Sequence, residues 1–366
     1  MVIDARTGKV LHSRNADTRL HPASLTKMMT LYIVFQAVEH GEISLDTMVT
    51  ISKRAAAEPP SKLGLKAGQR IQLRYLIRAA AVKSANDAAT ALAEAISGSV
   101  PAFARRMNRT AKDLGMTRTT FKNANGLTQS GHYSTARDMT TLGRHVLYDY
   151  PQYYNLFSRI TTNAGVRTVK NTNRRFLNSY AGADGIKTGY TSAAGFNLVA
   201  SAQRGNERII ATVFGGRSTA SRNAKVAELL DLGFRRAPSN ASLRRPSLPP
   251  YSGSGRSTAQ PSAPAVSASS NAAPPAGRTI RLVTAVTRSP RPTPRPVPEA
   301  EQPSEALIAA IESEVDSAVE QVVEEAAVEV AEAAPVVPIA RPAPRPDPAP
   351  AAETTTATAP NPAPTP

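Results

Sequence analysis

"GIKTGYTSAAGFNLVASAQRGNERIIATVFGG", residues 185 to 216, reads as three consecutive strands of one antiparallel sheet: "GIKTGYT", "FNLVASAQR" and "ERIIATVFGG". Short runs rich in apolar and β-branched residues, punctuated by glycine, carry that reading. The following "ASRNAKVAELLDLGFRR" spaces its apolar residues at helical intervals and closes the unit as an amphipathic helix. Far upstream, "VIDARTGKVLHSRN", residues 2 to 15, alternates apolar positions on both sides of Thr7-Gly8, the pattern of a hairpin. The strands of one sheet therefore come from both ends of a long intervening segment.

That segment is helical in pattern. "ASLTKMMTLYIVFQAVEHG", residues 23 to 41, is apolar nearly all round and stops at Gly41, which predicts a helix buried on several sides. Pro22 suits a first helical position. Residues 45 to 150 read mostly as helices, with "LRYLIRAAAVKS", "NDAATALAEAI" and "PAFARRMNRTAKDLG" each at helical spacing. The predicted fold class is α/β (α+β), an antiparallel sheet flanked by helices with a helical lobe inserted.

Composition divides the 366 residues at about residue 237. Only Pro22, Pro59, Pro60, Pro101 and Pro151 of the 30 prolines precede it, and the rest crowd into the last third with Ala, Ser and Thr. Such a segment buries too little apolar surface to offset chain entropy. One folded domain is expected at residues 1–237, then a disordered Pro/Ser/Ala-rich linker at 238–298, a marginal acidic amphipathic helix at 299–334, and a disordered Pro/Ala-rich tail at 335–366. Within the linker, "RTIRLVTAVT" at 278–287 has the pattern of a short strand. Residues 305–334 space Leu307, Ile311, Val315, Val322, Ala326 and Val330 along one face with glutamates elsewhere, which suits a weak partner helix or coiled coil better than anionic lipid, with a fluctuating spacer as the alternative.

Charge follows the same boundary. Residues 1–237 hold 34 Lys and Arg against 15 Asp and Glu, whereas the remainder holds 10 against 13. A basic domain favours anionic partners, which include nucleic acid, an acidic membrane surface and a polymer bearing carboxylates. No aromatic-interleaved basic motif or groove-reading helix supports nucleic acid, and none is expected as a partner. Cysteine is absent, which removes disulfides, thiolate nucleophiles and thiolate metal sites. The five histidines show no paired metal spacing, so no metal or cofactor is expected and solitary surface roles are. No run reaches the roughly 18 apolar residues of a membrane span, and the start is not that of an export signal. Because a strand begins almost at Met1, upstream residues are expected to be missing.

The chemistry sits in three short motifs. Ser24 and Lys27, three apart at a helix start, share a face. A serine hydroxyl becomes a nucleophile when a base takes its proton, and lysine is that base once burial or a second cation lowers its pKa. The plain alternative is an ordinary helix start, and two fixed letters do not decide between them. Ser84-Ala85-Asn86 places a hydroxyl and an amide just before a helix, where an N-cap is the plain alternative. Lys187-Thr188-Gly189 places a cation and a hydroxyl on a strand, with a glycine that lets a ligand approach the backbone. An edge strand with a protective lysine is the alternative there.

Ser-x-x-Lys, Ser-x-Asn and Lys-Thr-Gly in this order form the motif set of penicillin-binding proteins and serine β-lactamases. The chain resembles the low-molecular-weight penicillin-binding proteins, specifically the D-alanyl-D-alanine carboxypeptidases. The likeness covers roughly residues 1 to 236 through "PASLTKMMT", "SANDAA", "GHYSTARDM", "DGIKTGYT" and "GFNLVASA". It implies the penicillin-binding protein and serine β-lactamase-like transpeptidase fold. By the resemblance Ser24 is the acylated nucleophile, Lys27 its general base, Ser84 a proton relay, and Asn86 a holder of the substrate backbone. Lys187 would supply positive charge and keep Lys27 neutral, Thr188 would bond the substrate, and the N–H groups of Ser24 and Tyr190 would form the oxyanion hole. Arg222 matches the arginine kept for the terminal carboxylate. Where the family often has a basic residue inside Asn-x-Asn, this chain has Thr172, with Arg174 and Arg175 just beyond.

The implied function is removal of the terminal D-alanine from peptidoglycan pentapeptides, with stem peptides ending in D-Ala-D-Ala as substrates and β-lactams as covalent inhibitors. A D,D-endopeptidase cutting cross-links with the same site is the alternative. A class A β-lactamase would need a Glu-x-x-Leu-Asn loop, and none lies between Asn86 and Lys187. A catalytically dead wall-binding module is disfavoured because every catalytic position is filled. Substrate logic implies the periplasm, with the export signal lost upstream; membrane attachment is left open.

Overall fold

The computed structural model describes residues 1–253, which belong to one compact unit. The chain opens with β1 (Val2–Asp4) and β2 (Val10–His12), the expected hairpin. A single turn of 3-10 helix at Ala23–Leu25 runs into α1 (Thr26–Glu39). The helical lobe then carries β3 (Met48–Thr50), α2 (Lys53–Ala56), β4 (Arg70–Gln72), α3 (Leu73–Arg78), a π-helical turn at Ala79–Lys83, α4 (Asn86–Ser97), α5 (Val100–Asp113), α6 (Ala136–Asp149) and α7 (Pro151–Tyr154). After it come β5 (Thr161–Asn163), β6 (Thr168–Lys170), α8 (Arg174–Ser179), the three long strands β7 (Ala183–Thr191), β8 (Gly195–Arg204) and β9 (Glu207–Gly216), and α9 (Thr219–Arg236).

The main sheet has the order β2-β1-β9-β8-β7 with every pairing antiparallel. Its period-2 alternation sorts side chains onto two cores. Leu198, Ala200, Ala202, Ile209 and Ala211 pack beneath α9 with Val226, Leu229 and Leu230. The intervening Val199 and Ile210 face the helical lobe. Lys187 of β7 lies opposite Val199 in register, so its side chain is carried to the lobe side, where the chemistry is.

α1 runs through the middle of that lobe. Every residue from Thr26 to Ala37 is buried, which explains why its sequence shows no polar face. Leu31, Ile33, Val34 and Phe35 are fully buried and contribute about 1.5–3 kcal/mol each by area removed from water. The helix that carries Lys27 is thus clamped along its length.

The domain extends past the boundary expected at residue 237. Residues 238–253 form no helix or strand, yet Arg6 donates to the carbonyls of Pro238 and Ser239, and Arg244 N–H donates to the Arg6 carbonyl. At their far end Tyr251 stacks on His40 with ring centroids 3.8 Å apart. Average composition passed over this one aromatic, which has apolar surface to bury. The strand expected at 278–287, the acidic helix at 299–334 and the tail at 335–366 lie outside the described residues.

Candidate active site

Ser24 lies on the 3-10 turn and Lys27 in the first turn of α1, and Lys27 Nζ is 2.9 Å from Ser24 Oγ. The turn is held open by Ala23, whose φ is +48°, and by close packing from two sides. Gly126, at φ +90°, lies so near that a Cβ there would sit 1.9 Å from the Ala23 carbonyl oxygen. A Cβ on Gly189 would be 3.0 Å from both Pro22 O and Ser24 N. The missing side chain at Gly189 thus lets β7 come close to the turn that carries Ser24. Tyr190, next along β7, brings its backbone to the same neighbourhood and keeps a 44% exposed side chain, 4.3 Å from the Phe196 ring centroid.

Lys27 is fully buried, and the geometry around Nζ fixes its hydrogen-bonding roles. Its other neighbours are Asn86 Oδ1 at 2.7 Å and the Asn125 carbonyl at 2.7 Å. The Asn86 amide is oriented because its Nδ2 donates to the carbonyls of Pro59 and Pro60. Both oxygens facing Lys27 are acceptors only, so they take the two N–H bonds of a neutral amine. In that form the remaining lone pair falls on Ser24 Oγ–H, whereas a protonated Lys27 donates to Ser24 Oγ. Burial first, and the nearby Lys187 charge second, hold the Lys27 pKa well below the ordinary lysine range. Both effects favour the neutral amine.

The second and third motifs meet through Lys187. Its Nζ donates to Ser84 Oγ at 2.8 Å and to the Thr188 carbonyl at 3.0 Å. Burial, then the Arg222 charge, push its pKa down to about 7. Neither Ser84 nor Asn86 caps α4: the N-cap is Ala85 and no side chain bonds there. Ser84 instead adopts φ +65° after the π-helical turn. The N-cap alternative fails because both polar side chains are turned to the two lysines.

Beyond Thr188 the site ends in cations. Arg222 is buried, with its guanidinium donating to Asn223 Oδ1, and burial pushes its pKa down to about 10. A cavity of about 160 Å³ is lined by Thr172, Asn173, Arg174, Arg175, Thr219 and Arg222. Asn173 is 2% exposed, and both polar atoms of its side chain lack partners among the described residues. Thr172 Oγ1 lies 2.8 Å from Thr188 Oγ1, so the residue replacing the family's basic one ties this loop to the strand.

The sequence reading missed Asn125 and His132. Asn125 reaches Lys27 by its backbone carbonyl, which no side-chain motif signals. His132 Nε2 is 2.8 Å from Thr26 Oγ1, and its Nδ1 accepts from Lys122 N–H. Burial pushes its pKa down to about 4, so a neutral ring steadies the turn between Ser24 and Lys27. The expected surface role for histidines is wrong here and at His145, which is buried with Nδ1 2.7 Å from Asp149 Oδ2. Each ring finds partners that lone sequence positions do not reveal.

A family model described as D-alanyl-D-alanine carboxypeptidase matches residues 1–218. The D-alanyl-D-alanine carboxypeptidase DacF of Bacillus subtilis is 41% identical over 239 residues, 64% of this chain and 61% of that protein. The chain thus spans about three fifths of that relative's length. Penicillin binding protein 5 from Haemophilus influenzae superposes with a TM-score of 0.61 at 38% identity, covering 64% of this chain and 69% of that one. Penicillin-Binding Protein D2 from Listeria monocytogenes, solved in a cefotaxime-bound form, gives 0.58 at 32% identity, covering 64% and 95%.

Proposed function

This chain belongs to the D-alanyl-D-alanine carboxypeptidase family of serine peptidases, and we propose that it removes the terminal D-alanine from peptidoglycan pentapeptides through an acyl-enzyme on Ser24. One observation carries the reading. Lys27 Nζ lies 2.7 Å from two oxygens that can only accept, Asn86 Oδ1 and the Asn125 carbonyl, and 2.9 Å from Ser24 Oγ, so its neutral form turns the lone pair to Ser24. Lys27 takes the hydroxyl proton as Ser24 Oγ attacks the carbonyl of the penultimate D-alanine. The N–H groups of Ser24 and Tyr190 receive the developing oxyanion. Ser84, held by Lys187, relays the proton taken up by Lys27 to the departing amine as the C–N bond breaks, which leaves Lys27 neutral again. Water then hydrolyses the ester, the proton returns, and the tetrapeptide leaves.

The substrate's terminal carboxylate is placed beyond Thr188, at Lys187 and Arg222, with the peptide added along the β7 edge. Asn86 holds its backbone while also holding Lys27. Arg174 and Arg175 line the carboxylate end without a carboxylate among its lining residues. β-Lactams acylate the same Ser24. Peptidoglycan lies outside the cytoplasmic membrane, so this reading places the working enzyme in the periplasm; absence of fluorescent-penicillin labelling there would contradict it.

Product analysis tests the activity. Incubation with pentapeptide and with cross-linked muropeptides is expected to release one D-alanine per pentapeptide, and nothing in Ser24→Ala. Faster opening of cross-links than of pentapeptides would replace the carboxypeptidase with the endopeptidase reading. Release by Ser24→Ala at the wild-type rate would remove Ser24 from the chemistry.

A further inference from the structure

Of the three groups that hold Lys27, one leads by hydrogen bonds to the Glu58 carboxylate and a second is held by the backbone just after Glu58. The Asn125 carbonyl accepts from Lys27, while Asn125 Nδ2 donates to Thr90 Oγ1 at 3.2 Å. Thr90 Oγ1 in turn donates to Glu58 Oε1 at 2.8 Å. On the other side, Asn86 Oδ1 accepts from Lys27, and its Nδ2 is held by the carbonyls of Pro59 and Pro60, the two residues that follow Glu58. Donors and acceptors alternate without conflict along both routes. The segment carrying Glu58 is fixed again where Ser61 O accepts from Asn86 N–H.

We propose that Glu58 is a positioning residue for acylation, which through Thr90 and Asn125 on one side and the Pro59 and Pro60 carbonyls on the other keeps Lys27 aimed at Ser24. The inference rests on Lys27 being the base for Ser24. The half-buried carboxylate also acts on Lys27 through its charge. Three charged groups face that amine: Lys187 from β7 opposes its protonation, whereas Glu58 and Asp87, from the first turn of α4, favour it. Asp87 is committed to the N–H groups of Leu63, Gly64, Leu65 and Ala88, which makes it a structural anchor. Glu58 is the one that substitution reaches without dismantling a loop. Removing its charge favours the neutral amine, so Lys27 stays a base to lower pH.

The test follows the rate of covalent labelling by a fluorescent penicillin from about pH 5 to 9 in wild type, Glu58→Gln, Glu58→Ala and Thr90→Val. Glu58→Gln keeps an acceptor for Thr90 and loses the charge; its acid limb is expected about one pH unit lower, with the plateau within about threefold of wild type. Glu58→Ala and Thr90→Val break the chain of bonds and are expected to lower the plateau about tenfold at an unchanged melting temperature. A merely structural role moves no pH limb. An unshifted limb in Glu58→Gln, or a wild-type plateau in both chain-breaking variants, overturns the proposal. No labelling of wild type would instead overturn the Ser24 and Lys27 assignment, and the role of Glu58 with it.

Discussion

At the amino end of α1, Lys27 is buried among oxygens that bear no formal charge, whereas near the other end Arg106 is buried with Nη1 2.9 Å from both oxygens of Glu42. Some 21 Å of helix separates the two environments. Both bury a cation of similar size, and only one supplies a counter-ion. The ion pair with Glu42 ties Arg106 of α5 to the segment after α1. Without one, burial and the Lys187 charge lower the Lys27 pKa, which suits it to the base role proposed for it. On that proposal, reactivity comes from withholding an ion pair, not from adding a group.

Substitution at each end separates these roles. Lys27→Met is expected to lower the acylation rate by about three orders of magnitude while leaving the melting temperature unchanged or higher, since a buried amine is replaced by an apolar chain of similar volume. Penicillin-labelling kinetics beside thermal melts check it, and a large loss of stability would make Lys27 a structural residue. Arg106→Ala should behave inversely, costing about 3–5 kcal/mol of stability because it removes the buried counter-ion of Glu42. Urea titration measures that loss, and labelling per folded molecule should match wild type.

Arg222→Ala probes a third buried cation, intermediate between the two because its counter-ion would be the substrate. Peptides with a free terminal carboxylate are expected to lose about 10- to 100-fold in kcat/KM, and amidated ones far less. Equal losses would remove Arg222 from the carboxylate end. The smallest expected effect is at the structural end: Tyr251→Ala should cost about 1 kcal/mol through its stacking on His40, with no change in labelling.

The sequence carried the sheet and the motifs because their signals are local. Alternation in β8 and β9 separates two cores by parity, and Ser24 and Lys27 are neighbours on one turn. What it hid is long-range or carried by the backbone. The Asn125 carbonyl reaches Lys27 across 98 positions, and Thr90 reaches Glu58 across 32. Gly189 was legible as a close approach, but not as an approach to Pro22 and Ser24. Thr172 looked like a lost basic residue until its hydroxyl was found against Thr188. His132 fell outside any metal spacing, and its role follows from burial that lone histidines do not advertise.

The pH dependence of Ser24 acylation tests most directly whether Lys27 is a neutral base. An ordinary lysine titrates near 10.5. The expected result is a second-order labelling rate that levels off well below the pH at which an ordinary lysine titrates, because desolvation and Lys187 favour the neutral amine. A rate that keeps climbing tenfold per pH unit to about pH 10 would show an unperturbed lysine and contradict the account.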